Sequence, residues 1–277
     1  MSQDRYRDIV AVAVTIAFIG LGVYFLSNSH PAASYTNTGA ESRIVASACT
    51  RPKAVPMERG NAQNGVTRGS YYVTNDSWNA QHYSGLSQTL FVCNYDNWYT
   101  LSAMNNDSGD GAVKTSPNVQ ETWYPTPTAL SNWKSITSRF SDVPPGSGPG
   151  YGTWEFEYDI WLNGLADANS TEIMIWTYNN GQTPFGSPVG SFTDAGQDYV
   201  VYRSPPPDKY IAFVALNGSL SGRVNLLDFF RYAIGQGWMP ASSKLYQICH
   251  GVELVSTNGK REKFAVNNFS IGMKPRS

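Results

Sequence analysis

At 277 residues the chain has room for one large domain or two small ones, and all-β sandwiches of this length commonly form one. Only 15% of residues are charged, 13% are aromatic and the net charge is −1, so no basic field exists to hold nucleic acid by its phosphates; an uncharged partner fits best. Three histidines and three cysteines (Cys49, Cys93, Cys249) without a CxxC pair argue against a zinc site, and nothing calls for another metal or cofactor.

Residues 9–26 form an uncharged apolar run with one threonine, preceded by Arg5 and Arg7 and followed by no basic residue until Arg43. This reads as an export segment with its N-terminus inside, either a signal cleaved near Pro31-Ala32-Ala33 or a retained anchor, occupying residues 1–28. Residues 29–48 are small and polar and read as a linker. The folded domain is expected over 49–277, and in an exported protein a Cys49–Cys93 disulfide would tie down its start.

From Cys49 onward, short alternating runs are broken by Gly, Pro, Asn and Asp. Strands are expected at 69–78, 89–104, 152–162, 172–178, 199–203, 210–217, 246–255 and 263–271. One segment differs: at 224–234, Leu226/Leu227, Phe230 and Ala233/Ile234 recur at helical spacing. Asn225 with Asp228 would cap that helix, Gly235, Gly237 and Pro240 would end it, and its apolar stripe is expected to pack on the outside of a sandwich.

Strand alternation sorts the side chains that carry chemistry. In Thr171-Glu172-Ile173-Met174-Ile175-Trp176, the two isoleucines face a core while Glu172, Met174 and Trp176 share the other face. In Trp154-Glu155-Phe156-Glu157-Tyr158-Asp159-Ile160-Trp161-Leu162, the odd-numbered residues take that polar face. A short connection makes these two runs an antiparallel pair, with Asp159 on the same face as Glu172. In His250-Gly251-Val252-Glu253-Leu254-Val255, Glu253 faces outward beside Gly251, whose small size leaves room for a ligand. Two carboxyl groups about 5–5.5 Å apart suit cleavage of a glycosidic bond with retention, one attacking as carboxylate and the other protonating the leaving oxygen. Crowding two like charges raises one pKa and keeps the acid protonated.

Several ordered segments resemble glycoside hydrolase family 12, the small retaining endo-β-1,4-glucanases. They are Tyr158-Asp159-Ile160-Trp161-Leu162, Thr171-Glu172-Ile173-Met174-Ile175-Trp176, Phe185-Gly186-Ser187-Pro188-Val189-Gly190, the 224–234 helix, and Phe264-Ala265-Val266-Asn267-Asn268-Phe269-Ser270. The resemblance spans Cys49 to the C-terminus. It implies a β-jelly-roll sandwich of two curved antiparallel sheets with a cleft on the concave face. It further implies Glu172 as nucleophile, Glu253 as general acid/base, Asp159 as the aspartate that hydrogen-bonds the nucleophile, Met174 beneath the reacting sugar, and Trp78 as a stacking platform. Trp98, Trp123 and Trp161 are weaker platforms, and Asp76, Trp176 and Asn217 complete the expected substrate-binding set. Two positions depart from the family pattern: Asp76 stands where an amide is usual, and Val255 where an aromatic often follows the acid/base glutamate. If Trp78 is a platform, Asn75 in its Asn-x-Ser triplet should carry no glycan.

The expected activity is that of an exported, monomeric endo-acting hydrolase of a β-1,4-glucan: cellulose, mixed-linkage glucan or xyloglucan. A non-catalytic carbohydrate-binding jelly roll at the cell surface is the alternative; it needs the aromatics but not the three carboxyls. A cell-surface protein that binds a protein partner predicts neither paired carboxyls nor a polar cleft.

Overall fold

A computed structural model describes residues 49–206 and 209–276. The expected export segment and linker lie outside the described residues. Among those described, no helix is long and apolar enough to cross a membrane.

The described strands form two stacked sheets. The smaller runs, in spatial order, β1 (Lys53–Pro56), β4 (Ser87–Asn94), β5 (Asn97–Ala103), β16 (Glu262–Pro275), β8 (Trp133–Val143) and β14 (Ser221–Val224). The larger runs β11 (Ser187–Asp194), β12 (Gln197–Arg203), β13 (Tyr210–Ala215), β10 (Thr171–Asn180), β9 (Thr153–Leu162), β15 (Lys244–Ser256), β6 (Asn118–Thr122), β3 (Tyr71–Thr74) and β2 (Gly65–Arg68), with β7 (Thr128–Ala129) appended to β15. This is the expected jelly-roll sandwich. One pair departs from the antiparallel expectation: β10 and β13 run parallel, joined through the β11–β12 hairpin.

Alternation decides which face each strand buries. Tyr158, Ile160 and Leu162 of β9 and Ile173 and Ile175 of β10 enter one continuous core with Leu90, Val92, Trp98, Ile136, Phe140, Val266 and Phe269 of the smaller sheet. Full burial of such a side chain contributes about 1.5–3 kcal/mol. Toward one end, Trp154, Phe156, Val252, Leu254 and Phe264 form a second cluster. The opposite face of the larger sheet carries its own small apolar group, Met174, Trp176 and Ala212.

The helix α1 (Leu226–Gly235) forms where the 3.6-residue spacing predicted it, but its position corrects the expectation. Leu226, Leu227, Phe229, Phe230 and Ala233 are buried within the main core. The Phe229 ring lies 4.8 Å from Phe192, 4.9 Å from Phe213 and 5.2 Å from Tyr199. The smaller sheet stops at β14, so α1 covers the core face of the strands that extend beyond it. Its cap also differs: the Asn225 side chain bonds the Asp228 carboxylate rather than a backbone N–H.

Other elements shift the expected boundaries. The 69–78 run is strand only at β3, and Asp76, at φ 32°, turns the chain out of the sheet. The 89–104 run is a hairpin of two strands, β4 and β5. Cys49 is bonded to Cys93, holding the start of the described chain against β4. Register shifts in β10 between Trp176 and Tyr178, and in β15 near both ends, add bends to the larger sheet, because a bulge increases local twist.

Candidate active site

The face of the larger sheet turned away from the main core, where the sequence places the cleft, is organised in cross-strand rows. Glu172 stands opposite Tyr210 of β13 and Trp161 of β9. The next row holds Ala212, Met174, Asp159, Cys249 and Gln120. The third holds Val214, Trp176, Glu157, Gly251 and Asn118, and the fourth sets Glu155 opposite Glu253. Register thus separates Glu172 from Glu253 by one strand and three rows, yet the Glu253 charge still counts among the causes that raise Glu172, after burial and Asp159. The Glu253 charge acts on Glu172, Asp159, Glu157 and Glu155 alike.

Burial comes first among the causes that shift these groups, and it raises every one. Glu172 is held well above the ordinary carboxyl range by burial, then by Asp159 and Glu253. Asp159 is pushed up to about 8 by burial and by Glu253, against the hydrogen bond from Trp161. Glu253 is raised by burial. Exposure divides the cluster: Glu172, Asp159, Glu253 and Asp76 keep partial contact with the cleft, whereas Glu155 and Glu157 are 0% exposed.

The Trp161 indole N–H donates to Asp159 Oδ2 at 3.0 Å, so a half-buried ring next to Glu172 also fixes the neighbouring carboxyl. Asp159 Oδ1 is buried and has no partner. Asp76 arrives from the loop after β3 and joins the same cluster. It feels Asp159 and Glu253, burial holds it well above its usual range, and Asn118 donates to its Oδ2 at 3.3 Å. A carboxyl rather than an amide therefore enters this face, and its burial favours the neutral form over the charge that the departure from an amide implied.

Trp78 is half-buried on the same loop. Asn75 beside it is fully buried, its amide donating to the Val55 carbonyl at 3.0 Å while its Oδ1 accepts from Gln88 at 2.8 Å. That side chain is committed to the core and has no room for a glycan. Met174 stands directly opposite Asp159 in the same row and is 2% exposed.

Three expectations are corrected. Trp176 is buried at 2% among Met174, Ala212 and Tyr202, so it shapes the cleft floor and offers no open ring to a sugar. Trp98 belongs to the main core, because its parity on β5 points between the sheets. Asn217 is exposed in the turn after β13, a turn that packs on Thr177 and Tyr178 of β10. Gly251 does not leave space for a ligand: a Cβ there would meet the Pro117 carbonyl at 2.2 Å and Asn118 Cα at 2.7 Å, so the neighbouring chain already fills that space. Cys249 is a buried free thiol on the cleft-face parity, beside Gln120 and Gln247.

Several site residues were missed as such. Glu155 and Glu157 follow from the same alternation that located Asp159. Tyr210 borders Glu172 only because β13 pairs parallel to β10, which no local pattern signals. Phe185 of the loop before β11 leans on Tyr210 with ring centres 6.0 Å apart. That loop depends on Gly186 at φ +96°, where a Cβ would meet the Arg203 carbonyl at 2.2 Å.

Comparison with known proteins agrees with this geometry. The model of glycosyl hydrolase family 12 matches residues 69–274. A 58-residue stretch, 20% of this chain, is 41% identical to the probable cellulase Cel12b of Mycobacterium tuberculosis; the match spans 38% of that relative's length. Among solved structures, endoglucanase 3 of Trichoderma harzianum is similar with a TM-score of 0.68 at 19% identity, covering 81% of this chain and 99% of that one. The family 12 xyloglucanase of Bacillus licheniformis gives 0.66 at 22%, covering 80% and 100%. The xyloglucanase domain of NopAA from Sinorhizobium fredii, solved with cellobiose, gives 0.65 at 24%, covering 78% and 100%. At such identities these likenesses establish the fold, and the family model, matching most of the chain, establishes the kinship: this protein belongs to glycosyl hydrolase family 12.

Proposed function

We propose that this protein is an exported endo-acting hydrolase of β-1,4-glucans that works by double displacement with retention. The observation that carries the reading is the shared sheet face of Glu172, Asp159 and Glu253, three partly exposed carboxyls, where Glu253 raises the proton affinity of Asp159 and both raise that of Glu172. Glu172 acts as the nucleophile in its ionised form: burial opposes that form, but the Asp159 and Glu253 charges that also raise its pKa are absent while those two groups hold their protons. Glu253 protonates the departing glycosidic oxygen, then takes a proton from the water that releases the sugar. Asp159, pushed up to about 8 by burial and by Glu253, favours its neutral form and offers the site an O–H rather than a further charge. Trp78 stacks a glucose ring, Met174 underlies the reacting sugar, and Asp76 binds a hydroxyl.

The cellobiose held by the NopAA domain and the names of the other relatives support a glucan substrate of the cellulose or xyloglucan kind. Export is supported by the apolar run at 9–26 and by the Cys49–Cys93 disulfide, a bond of oxidising compartments. The test is release of reducing ends from soluble β-1,4-glucan and from xyloglucan by the parent, Glu172→Gln and Glu253→Gln, with the product anomer followed by NMR. Loss in both folded variants and an initial β-anomer from the parent support the reading. Binding without turnover in the parent replaces it with a carbohydrate-binding jelly roll.

A further inference from the structure

Glu155 has no role in the mechanism above, yet it is the residue placed directly opposite Glu253 on the neighbouring strand. Its side chain is 0% exposed, and neither carboxyl oxygen has a hydrogen-bond donor in reach. The group it faces is the Glu253 carboxyl. Two ionised carboxylates in that arrangement have no proton to share and repel each other in a desolvated site. A proton on Glu155 turns the same contact into a hydrogen bond. We propose that Glu155 is a positioning residue for Glu253: it keeps its proton throughout the cycle and donates its O–H to the Glu253 carboxylate whenever that group has lost its own.

The inference rests on Glu253 being the acid/base. In the first step the Glu253 O–H bond breaks and its proton goes to the glycosidic oxygen, whose bond to the anomeric carbon breaks as Glu172 bonds to that carbon. Glu253 is then an anion, and the Glu155 O–H meets it. In the second step water bonds to the anomeric carbon, the bond to Glu172 breaks, and the water's proton goes to Glu253. The Glu155 proton stays in place through both steps.

Burial explains why Glu155 and not Glu253 holds the permanent proton. Glu253 retains contact with the cleft, while Glu155 has none. The groups on the packed elements that feel the Glu253 charge are all acids: Glu155, Glu157 and Asp159 on β9, Glu172 on β10, Asp76 on the loop after β3, and Tyr210 on β13; of these Glu155 hydrogen-bonds Glu253 and favours its anion. Lys114, on the chain packed beside β15, turns its ammonium to Asp110 at 3.2 Å and over the Tyr83 ring, and does not compensate Glu253. An O–H from Glu155 is therefore the local means of stabilising the Glu253 anion.

The experiment compares Glu155→Gln, whose amide keeps a donor, with Glu155→Leu, which does not. Both are checked for folding by circular dichroism and assayed on soluble β-1,4-glucan and on an aryl β-cellobioside with a good leaving group. Gln is expected to keep kcat/KM within about threefold. Leu is expected to lose about tenfold to a hundredfold on the polysaccharide, the scale of one hydrogen bond to a charged group. Its basic pH limb moves upward, because Glu253 without a donor holds its proton more tightly, and its defect shrinks on the aryl substrate, whose departure needs little acid assistance. Equal loss in Gln and Leu, or a folded Leu variant with the parent's pH profile, overturns the proposal. Glu253→Gln run alongside separates the causes: if it stays active, the assignment of the acid/base fails; if it is inactive while Glu155→Leu matches the parent, only the role of Glu155 fails.

Discussion

His250 Nε2 lies 3.0 Å from Asp142 Oδ1 in the middle of the core, with both side chains 0% exposed. The pair ties β15, which carries Glu253 on its other face, to β8 of the opposite sheet. The imidazole is sandwiched among rings, parallel to Phe269 at 5.5 Å and 4.5 Å from Tyr158. Asp142 Oδ2 and His250 Nδ1 are buried without partners, so this one contact carries all the side-chain hydrogen bonding between the two groups. Removing either partner strands the other in low dielectric. Asp142→Leu or His250→Phe alone is expected to destabilise by about 3–5 kcal/mol. The double replacement should cost clearly less than the sum. Urea unfolding of the three variants checks this, and simple additivity would show that the pair does not act as a unit.

The carboxyl cluster sets a pH dependence of stability opposite to that of a protein rich in surface ion pairs. Glu155, Glu157, Asp159, Glu172, Glu253 and Asp76 all have folded-state pKa values above their ordinary ones. An acid raised in this way favours the folded state fully at pH below its unfolded pKa, and that contribution is lost as pH rises through the folded value. The window therefore opens near 4 and, for Asp159, extends to about 8. The melting temperature should fall as pH is raised from 5 to 9, and Glu155→Gln with Glu157→Gln should flatten the slope. At this chain size each kcal/mol corresponds to about 2–4 °C. A melting temperature that climbs over this range would contradict the assignment of raised values.

Asp159 offers a sharper test of its protonation state. If it serves the site as a neutral donor, Asp159→Asn retains an N–H where the O–H was and should keep roughly tenfold more activity than Asp159→Ala. Trp161→Phe keeps the ring but removes the donor to Asp159 Oδ2, which now lowers the Asp159 pKa. That change should make Asp159 still harder to ionise and leave glucan affinity near the parent's. Kinetics of all three on one soluble substrate decide the matter; indistinguishable Asn and Ala variants would remove the hydrogen-bond role.

The readings that survived from sequence are those set by strand parity. Ile173 and Ile175 in the core, Glu172 and Asp159 on one cleft face, and Glu253 outward between Val252 and Leu254 all follow from a period of two. The family likeness added the order of the motifs. What failed needed knowledge of neighbours distant in the chain. Gly251 looked like open space because the approach of Pro117 and Asn118 is a pairing of distant strands. The helical stripe at 224–234 picked out Leu226, Leu227, Phe230 and Ala233 but not the fully buried Phe229, and not where α1 packs, since the smaller sheet's end at β14 decides that. Parity placed Trp176 on the cleft face correctly, yet Ala212 and Tyr202, brought by β13 and β12, bury it there.

That burial separates two tryptophans that sequence alone treated alike. Trp78 is half-buried on a loop, and its removal takes away a ring surface without opening the core. Trp176 is 2% exposed under the cleft floor, so its removal leaves a cavity. Trp176→Ala should cost about 3–5 kcal/mol of stability, the usual range for a buried tryptophan. Trp78→Ala should leave stability within about 1 kcal/mol. Its kinetic effect should fall on binding: loss of one stacked sugar raises KM by roughly tenfold while kcat changes less, because stacking at a site away from the cleaved bond acts on substrate and transition state alike. Thermal melts and Michaelis–Menten kinetics on soluble β-1,4-glucan for the two variants test the division. If Trp78→Ala lowers kcat and leaves KM unchanged, Trp78 works at the reacting sugar and the platform role passes to Trp161, the half-buried ring beside Glu172.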